Sequence, residues 1–146
     1  GFLSEKELKS LEEVPLPANL SIVRDVFIFA VYTGLSYVDI ENLTNENINV
    51  GIDKSLWLSY YRQKTDIHAI LPLLQPAVNI LKRYEAYHEG KRNNHIFPVP
   101  LNQVMNRYLK KVAKQAGVDK NITFHCARHI ELPLSLNLNR LQRLVS

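Results

Sequence analysis

At 146 residues, 46% of them hydrophobic, the chain has material for one core of ordinary size and not for two. Lys and Arg number 18 against 14 Asp and Glu, so the formal charge of +4 permits an anionic partner without requiring one. The single cysteine, Cys126, excludes an internal disulfide, the start lacks a signal-peptide pattern, and the longest apolar stretch, 26–32, falls well short of the roughly 20 residues of a membrane span; a cytoplasmic chain without membrane association is expected.

Taken in chain order, Ser4 followed three residues later by Glu7 is a capping box, with Leu3 placed to staple against Leu8, and predicts a helix to about Glu13. Val14-Pro15-Leu16-Pro17 breaks it. Between 22 and 33 the residues Ile22, Val26, Phe29, Ala30 and Thr33 recur at helical spacing, and Val23, Phe27, Ile28 and Val31 widen the apolar face until the helix reads as nearly buried, with Gly34 as its stop. A short helix over 37–43 follows, with Val38, Ile40 and Leu43 facing inward.

The period then changes. Stretches 48–50, 55–61 and 68–73 are β-branched, aromatic or alternating, and the polar segments between them suit turns, which predicts a three-stranded antiparallel sheet. Trp57, Tyr60 and Tyr61 read as core or sheet-surface packing. Pro76, at a first helical position, opens a helix carrying Ala77, Ile80, Leu81, Tyr84 and Tyr87 toward Gly90. A further helix from Leu101 or Asn102 carries the stripe Val104, Met105, Tyr108, Leu109, Val112 and Ala116 up to Gly117, with Arg107, Lys110, Lys111 and Lys114 on its other side. Thr123 is placed to cap a helix starting at Phe124 or His125, which Pro133 interrupts. The leucine-rich stretch from Leu136 is amphipathic and fits helix or strand.

Three local sequences, in this order, resemble the catalytic domain of tyrosine recombinases, the phage integrase family. They are Tyr32-Thr33-Gly34-Leu35-Ser36-Tyr37-Val38-Asp39-Ile40, then Arg62-Gln63-Lys64-Thr65 with Ile70-Leu71-Pro72-Leu73, and then Thr123-Phe124-His125-Cys126-Ala127-Arg128-His129, a His-x-x-Arg box. The likeness covers residues 3–129 and is closest to integrases of mobile elements. It implies a mainly helical α+β fold with a small sheet, a single domain over 1–146, and metal-independent cutting and rejoining of DNA through a 3′-phosphotyrosine. It also implies duplex DNA and further integrase protomers as partners, and no cofactor. The resemblance makes Lys64, His125 and Arg128 the catalytic candidates.

The chemistry suits those residue types. A phosphodiester under attack gathers charge on its non-bridging oxygens and needs fixed cationic donors, and Arg128 offers a planar fork for them. His125, three residues earlier, shares its helical face, and a first-turn position behind a Thr123 cap adds backbone N–H groups that favour an anion. Lys64, at a hairpin tip, suits protonation of the departing 5′ oxygen. Arg107, Lys110, Lys111 and Lys114 are candidate DNA-backbone contacts, as are Lys82, Arg83, Lys91 and Arg92, with a solvated basic face as the competing reading. His125, Cys126 and His129 lack the glutamate of a His-Glu-x-x-His box, and zinc is not expected.

Two departures from the family pattern stand out. Ser36 occupies the position where an arginine phosphate clamp commonly stands, with Arg62 as a candidate substitute. No tyrosine occurs after Tyr108, and the tail over 130–146 is atypical, so a fragment of a longer protein that binds DNA without cleaving it is expected. A noncatalytic DNA-binding or regulatory remnant and a helical interaction module are the competing readings.

Overall fold

Ser4 starts the first helix, α1 (Glu5–Glu13), through the predicted box: its Oγ accepts from the Glu7 N–H at 3.1 Å while Glu7 Oε1 accepts from the Ser4 N–H at 3.0 Å. The structure, a computed structural model, describes residues 3–89, 94–130 and 132. The predictions for Gly90, Lys91, Arg92, Pro133 and the stretch from Leu136 lie outside the described residues.

α2 (Ala18–Thr33) begins four residues before the apolar spacing suggests, because Pro17 serves as its N-cap and Leu20 is already buried. Eleven of its residues are buried, so it is the central helix, against which α1, α4, α6 and the 3-10 helix defined below all pack. Gly34 ends it at φ 77°, donating its N–H to the Ala30 carbonyl at 2.8 Å. α3 (Tyr37–Glu41) is shorter than predicted; Ile40 and Leu43 face the core, but Val38 is 39% exposed and does not.

The predicted sheet is present as β1 (Ile48–Val50), β2 (Leu56–Tyr61) and β3 (His68–Pro72), antiparallel in the order β1-β2-β3. Leu58 pairs with Leu71 and Tyr60 with Ala69, and these four buried residues form the face that joins the core. Trp57 is half-buried, and Tyr61 is exposed and stacked at 4.8 Å on His68. The single helix predicted after Pro76 is divided into α4 (Gln75–Arg83) and α5 (Glu85–Glu89), with Pro76 in its first turn but second in the helix. Tyr84 leaves helical geometry at the break as its ring packs edge-on against Phe97 and its hydroxyl turns inward. α6 (Asn102–Gln115) buries Met105, Leu109, Val112 and Ala113 and stops before Gly117, at φ 75°. Residues Phe124–His129 form a 3-10 helix, not the α-helix predicted there. No described helix is long and apolar enough to cross a membrane.

One buried carboxylate joins three of these helices. Asp25 is 1% exposed; its Oδ1 accepts from Arg24 Nε and from an Arg83 guanidinium nitrogen, each at 2.8 Å, and its Oδ2 accepts from the Tyr84 hydroxyl at 2.7 Å. Arg24 in turn donates to the Leu11, Glu12 and Val14 carbonyls, at 3.1, 3.0 and 3.1 Å, and so closes the end of α1. Removing one partner from such a buried set strands the others, so Asp25→Ala is expected to lower unfolding free energy by about 3 kcal/mol in chemical denaturation.

Burial, reinforced by the neighbouring carboxylates Asp25 and Glu12, holds the Tyr84 and Tyr32 phenols far above the usual tyrosine range. A raised folded pKa gives stability that is complete below the unfolded value of 10.0 and lost as pH climbs above it. Circular dichroism across that alkaline range should show progressive destabilisation, with a flatter pH dependence in Tyr84→Phe.

Candidate functional site

The Gly34 stop turns the chain so that Ser36 can cap α3, its Oγ accepting from the Asp39 N–H at 3.2 Å. Beside α3, Phe124 is fixed by ring contacts to Phe27 at 6.4 Å and Tyr37 at 5.7 Å, and its N–H donates to Asn106 Oδ1 at 2.8 Å. These anchors bring distant segments together around a cleft of about 360 Å³. It is lined by Ser36 and Tyr37 at the start of α3, by Asn102 and Asn106 on α6, and by Thr123, Phe124, His125 and Arg128.

Three predicted positions therefore converge: Ser36, His125 and Arg128 share the cleft, and both basic side chains are exposed to an incoming ligand. The helix carrying them is of 3-10 type, in which residues three apart eclipse, so His125 and Arg128 keep one face. The anion-binding first turn expected behind Thr123 is altered, because the Phe124 N–H is engaged by Asn106. Cys126 points back to Thr123, with Sγ at 3.5 Å from its N and 3.4 Å from its Oγ1. His125 and His129 meet through their Nε2 atoms at 3.1 Å, and among the described residues no group of three or more His, Cys, Asp or Glu is placed to hold a metal.

Lys64 sits in the β2–β3 turn, exposed, and is not among the cleft-lining residues; the same holds for Arg62, although it is partly buried. The turn is nevertheless tied to the site, since the Gln63 N–H donates to Asp39 Oδ1 at 3.0 Å. Asp39 thus bonds the Ser36 cap through its backbone and the hairpin next to Lys64 through its carboxylate.

Sequence reasoning did not single out Tyr37, Asp39, Asn102 and Asn106 as site residues. The asparagines stand four apart at the edge of the α6 apolar stripe, a spacing that places both on one face. The Tyr37 hydroxyl donates to the Pro100 carbonyl and contacts Glu41 Oε2 at 3.4 Å; burial and that carboxylate push its phenol up to about 12.

The basic candidates divide. Arg107 and Lys111 lie against the Tyr108 ring, at 5.4 and 5.1 Å from its centroid. Lys110 and Lys114 line an open depression of about 620 Å³ with Lys120, which also pairs with Glu7 at 2.7 Å. Lys82 is exposed, whereas Arg83 is committed to Asp25.

The phage integrase family model matches residues 2–140. The chain belongs to that family. Among solved structures it is similar to XerH site-specific recombinase bound to difH substrate in a pre-cleavage complex, at 18% identity and a TM-score of 0.66, over 86% of this chain and 38% of that one. It is also similar to XerA recombinase, at 23% identity and a TM-score of 0.68, over 88% of this chain and 47% of that one. The integrase chain thus has the tyrosine recombinase catalytic-domain fold and spans less than half the length of these solved recombinases. No curated protein matches it.

The Asn106 side chain is the polar tie between α6 and the residues of the His-x-x-Arg box. Asn106→Ala leaves the Phe124 N–H unsatisfied and should cost about 1–3 kcal/mol, with faster amide hydrogen exchange at Phe124.

Proposed function

We propose that this single domain, 1–146, holds the backbone of duplex DNA in the cleft, as part of site-specific recombination or integration by a tyrosine recombinase. The observation that carries the reading is the convergence of Ser36, His125 and Arg128 on one cleft. The XerH neighbours, in complexes with difH substrate before cleavage and with a palindromic difH after it, support DNA as the partner. Arg128 and His125 donate to the non-bridging oxygens of a phosphate, where charge grows as a strand is cut. Lys64, carried by the hairpin that Asp39 tethers, is the proton donor for the leaving 5′ oxygen in any cleavage for which an attacking hydroxyl is supplied from outside these residues. No metal or small-molecule cofactor enters this chemistry. Further recombinase protomers assemble on the same DNA, and Arg62, Lys110, Lys111, Lys114 and Arg107 add sequence-independent phosphate contacts.

We assign the nucleophile to no residue of this chain. No tyrosine follows Tyr108, and the cleft tyrosine, Tyr37, has its hydroxyl bonded to Pro100 and its phenol held above the ordinary range. Residues 1–146 therefore hold the DNA backbone without themselves supplying the attacking hydroxyl.

Fluorescence anisotropy with a labelled duplex tests the binding half. Affinity should fall steeply between 50 and 200 mM salt, by an amount on the order of 10³-fold for six phosphate contacts. Arg128→Ala should weaken binding about tenfold or more, as expected for a charged hydrogen-bond donor; equal affinity in both proteins would sink the cleft assignment. Ser36→Arg should tighten binding and steepen the salt slope by about 0.9 for its one added phosphate contact, while loss of the cap costs about 1 kcal/mol of stability. Incubation with a nicked suicide duplex should trap no covalent protein, and a shifted band on a denaturing gel would refute the second half.

A further inference from the structure

The His125 and His129 pair has no role in the cleft chemistry as a pair, yet its geometry is specific. The two Nε2 atoms are 3.1 Å apart and both side chains are exposed. The rings are inclined at 62° with centroids 4.9 Å apart. A straight N–H···N bond would hold the centroids about 5.4 Å apart, so these rings lean and their lone pairs leave the line between the nitrogens. Imidazole binds zinc at about 2.0–2.1 Å. Two nitrogens separated by 3.1 Å then subtend about 98° at an ion, between the octahedral and tetrahedral values.

We infer that His125 and His129 form a bidentate imidazole site for a divalent transition-metal ion, of the class Cu²⁺, Ni²⁺ or Zn²⁺. Imidazole suits these ions, with Cu²⁺ the tightest in the usual order of affinities. Both rings bind as Nδ1–H tautomers, so the ring that donates through Nε2 in the metal-free pair carries its proton on Nδ1 instead, and both Nε2 lone pairs are left for the ion. Among the described residues no third His, Cys, Asp or Glu joins them, so water or an anion fills the other positions. The ion sits beside the cleft that His125 lines. The inference goes beyond the DNA-binding reading and does not depend on it.

Isothermal titration of the DNA-free chain with Cu²⁺, Ni²⁺, Zn²⁺ and Mg²⁺ tests the site. Binding of the first three, with Cu²⁺ tightest, and none of Mg²⁺, which prefers oxygen ligands, is expected. His125→Gln and His129→Gln should each weaken Cu²⁺ binding about tenfold or more, with unchanged circular dichroism because both side chains are exposed. Electron paramagnetic resonance of the unsubstituted Cu²⁺ form provides a readout without mutation, and should show coupling to two imidazole nitrogens. Undiminished affinity in the two variants, a spectrum without that coupling, or no binding by any of the three ions would overturn the inference.

Discussion

The buried Asp25 carboxylate is the constraint around which the helices are arranged. A charge at 1% exposure is tolerated only when its oxygens are filled, and here they receive two guanidiniums and a phenol. Each donor comes with structural consequences: Arg24 closes α1, Arg83 holds the end of α4, and Tyr84 interrupts the helix that would have continued. The central helix is apolar nearly all round, so hydrophobic burial alone would let its neighbours slide or rotate about it. The directional bonds of Arg24 to the end of α1 and of Arg83 to Asp25 fix where α1 and α4 stand, while Phe29 packs on Phe97, which also meets Tyr84, and Phe27 packs on Phe124.

That seating produces the cleft. Phe124 is packed between Phe27 and Tyr37 and bonded to Asn106, so His125 and Arg128 point outward from a helix whose buried side is immobilised. Opposite them, Ser36 uses its hydroxyl to cap α3. That cap holds the start of α3 at the edge of the cleft. Asp39 extends the same order to the hairpin, because one residue bonds both the cap and the turn beside Lys64.

Periodicity made most of the architecture legible. The capping box of α1, the near-buried α2, the three strands and the amphipathic α6 follow from side-chain spacing and local turn chemistry, which act within a few residues. Local rules failed where a long-range partner overrode them. Tyr84 fits a helical stripe, but its hydroxyl is bonded to Asp25, fifty-nine residues away in sequence. Val38 fits an inward position, yet α3 is one short helix whose rotation is set by its cap and by Ile40, and Val38 faces outward. Arg24, Asp25 and Asn106 carry no local signature, since a buried charge or a helix-borne amide looks like any surface residue until its partners are known.

The sequence by itself determined the family, the order of helices and strands, and the chemistry available at His125, Arg128 and Lys64, because residue type and short spacing decide these. Tertiary structure alone decided that Ser36, His125 and Arg128 share one cleft, that Arg83 and Tyr84 serve a buried carboxylate, and that the His-x-x-Arg box coils as a 3-10 helix with its two imidazoles in contact. Those outcomes depend on which distant groups satisfy one another once water is excluded, and no local pattern encodes that pairing.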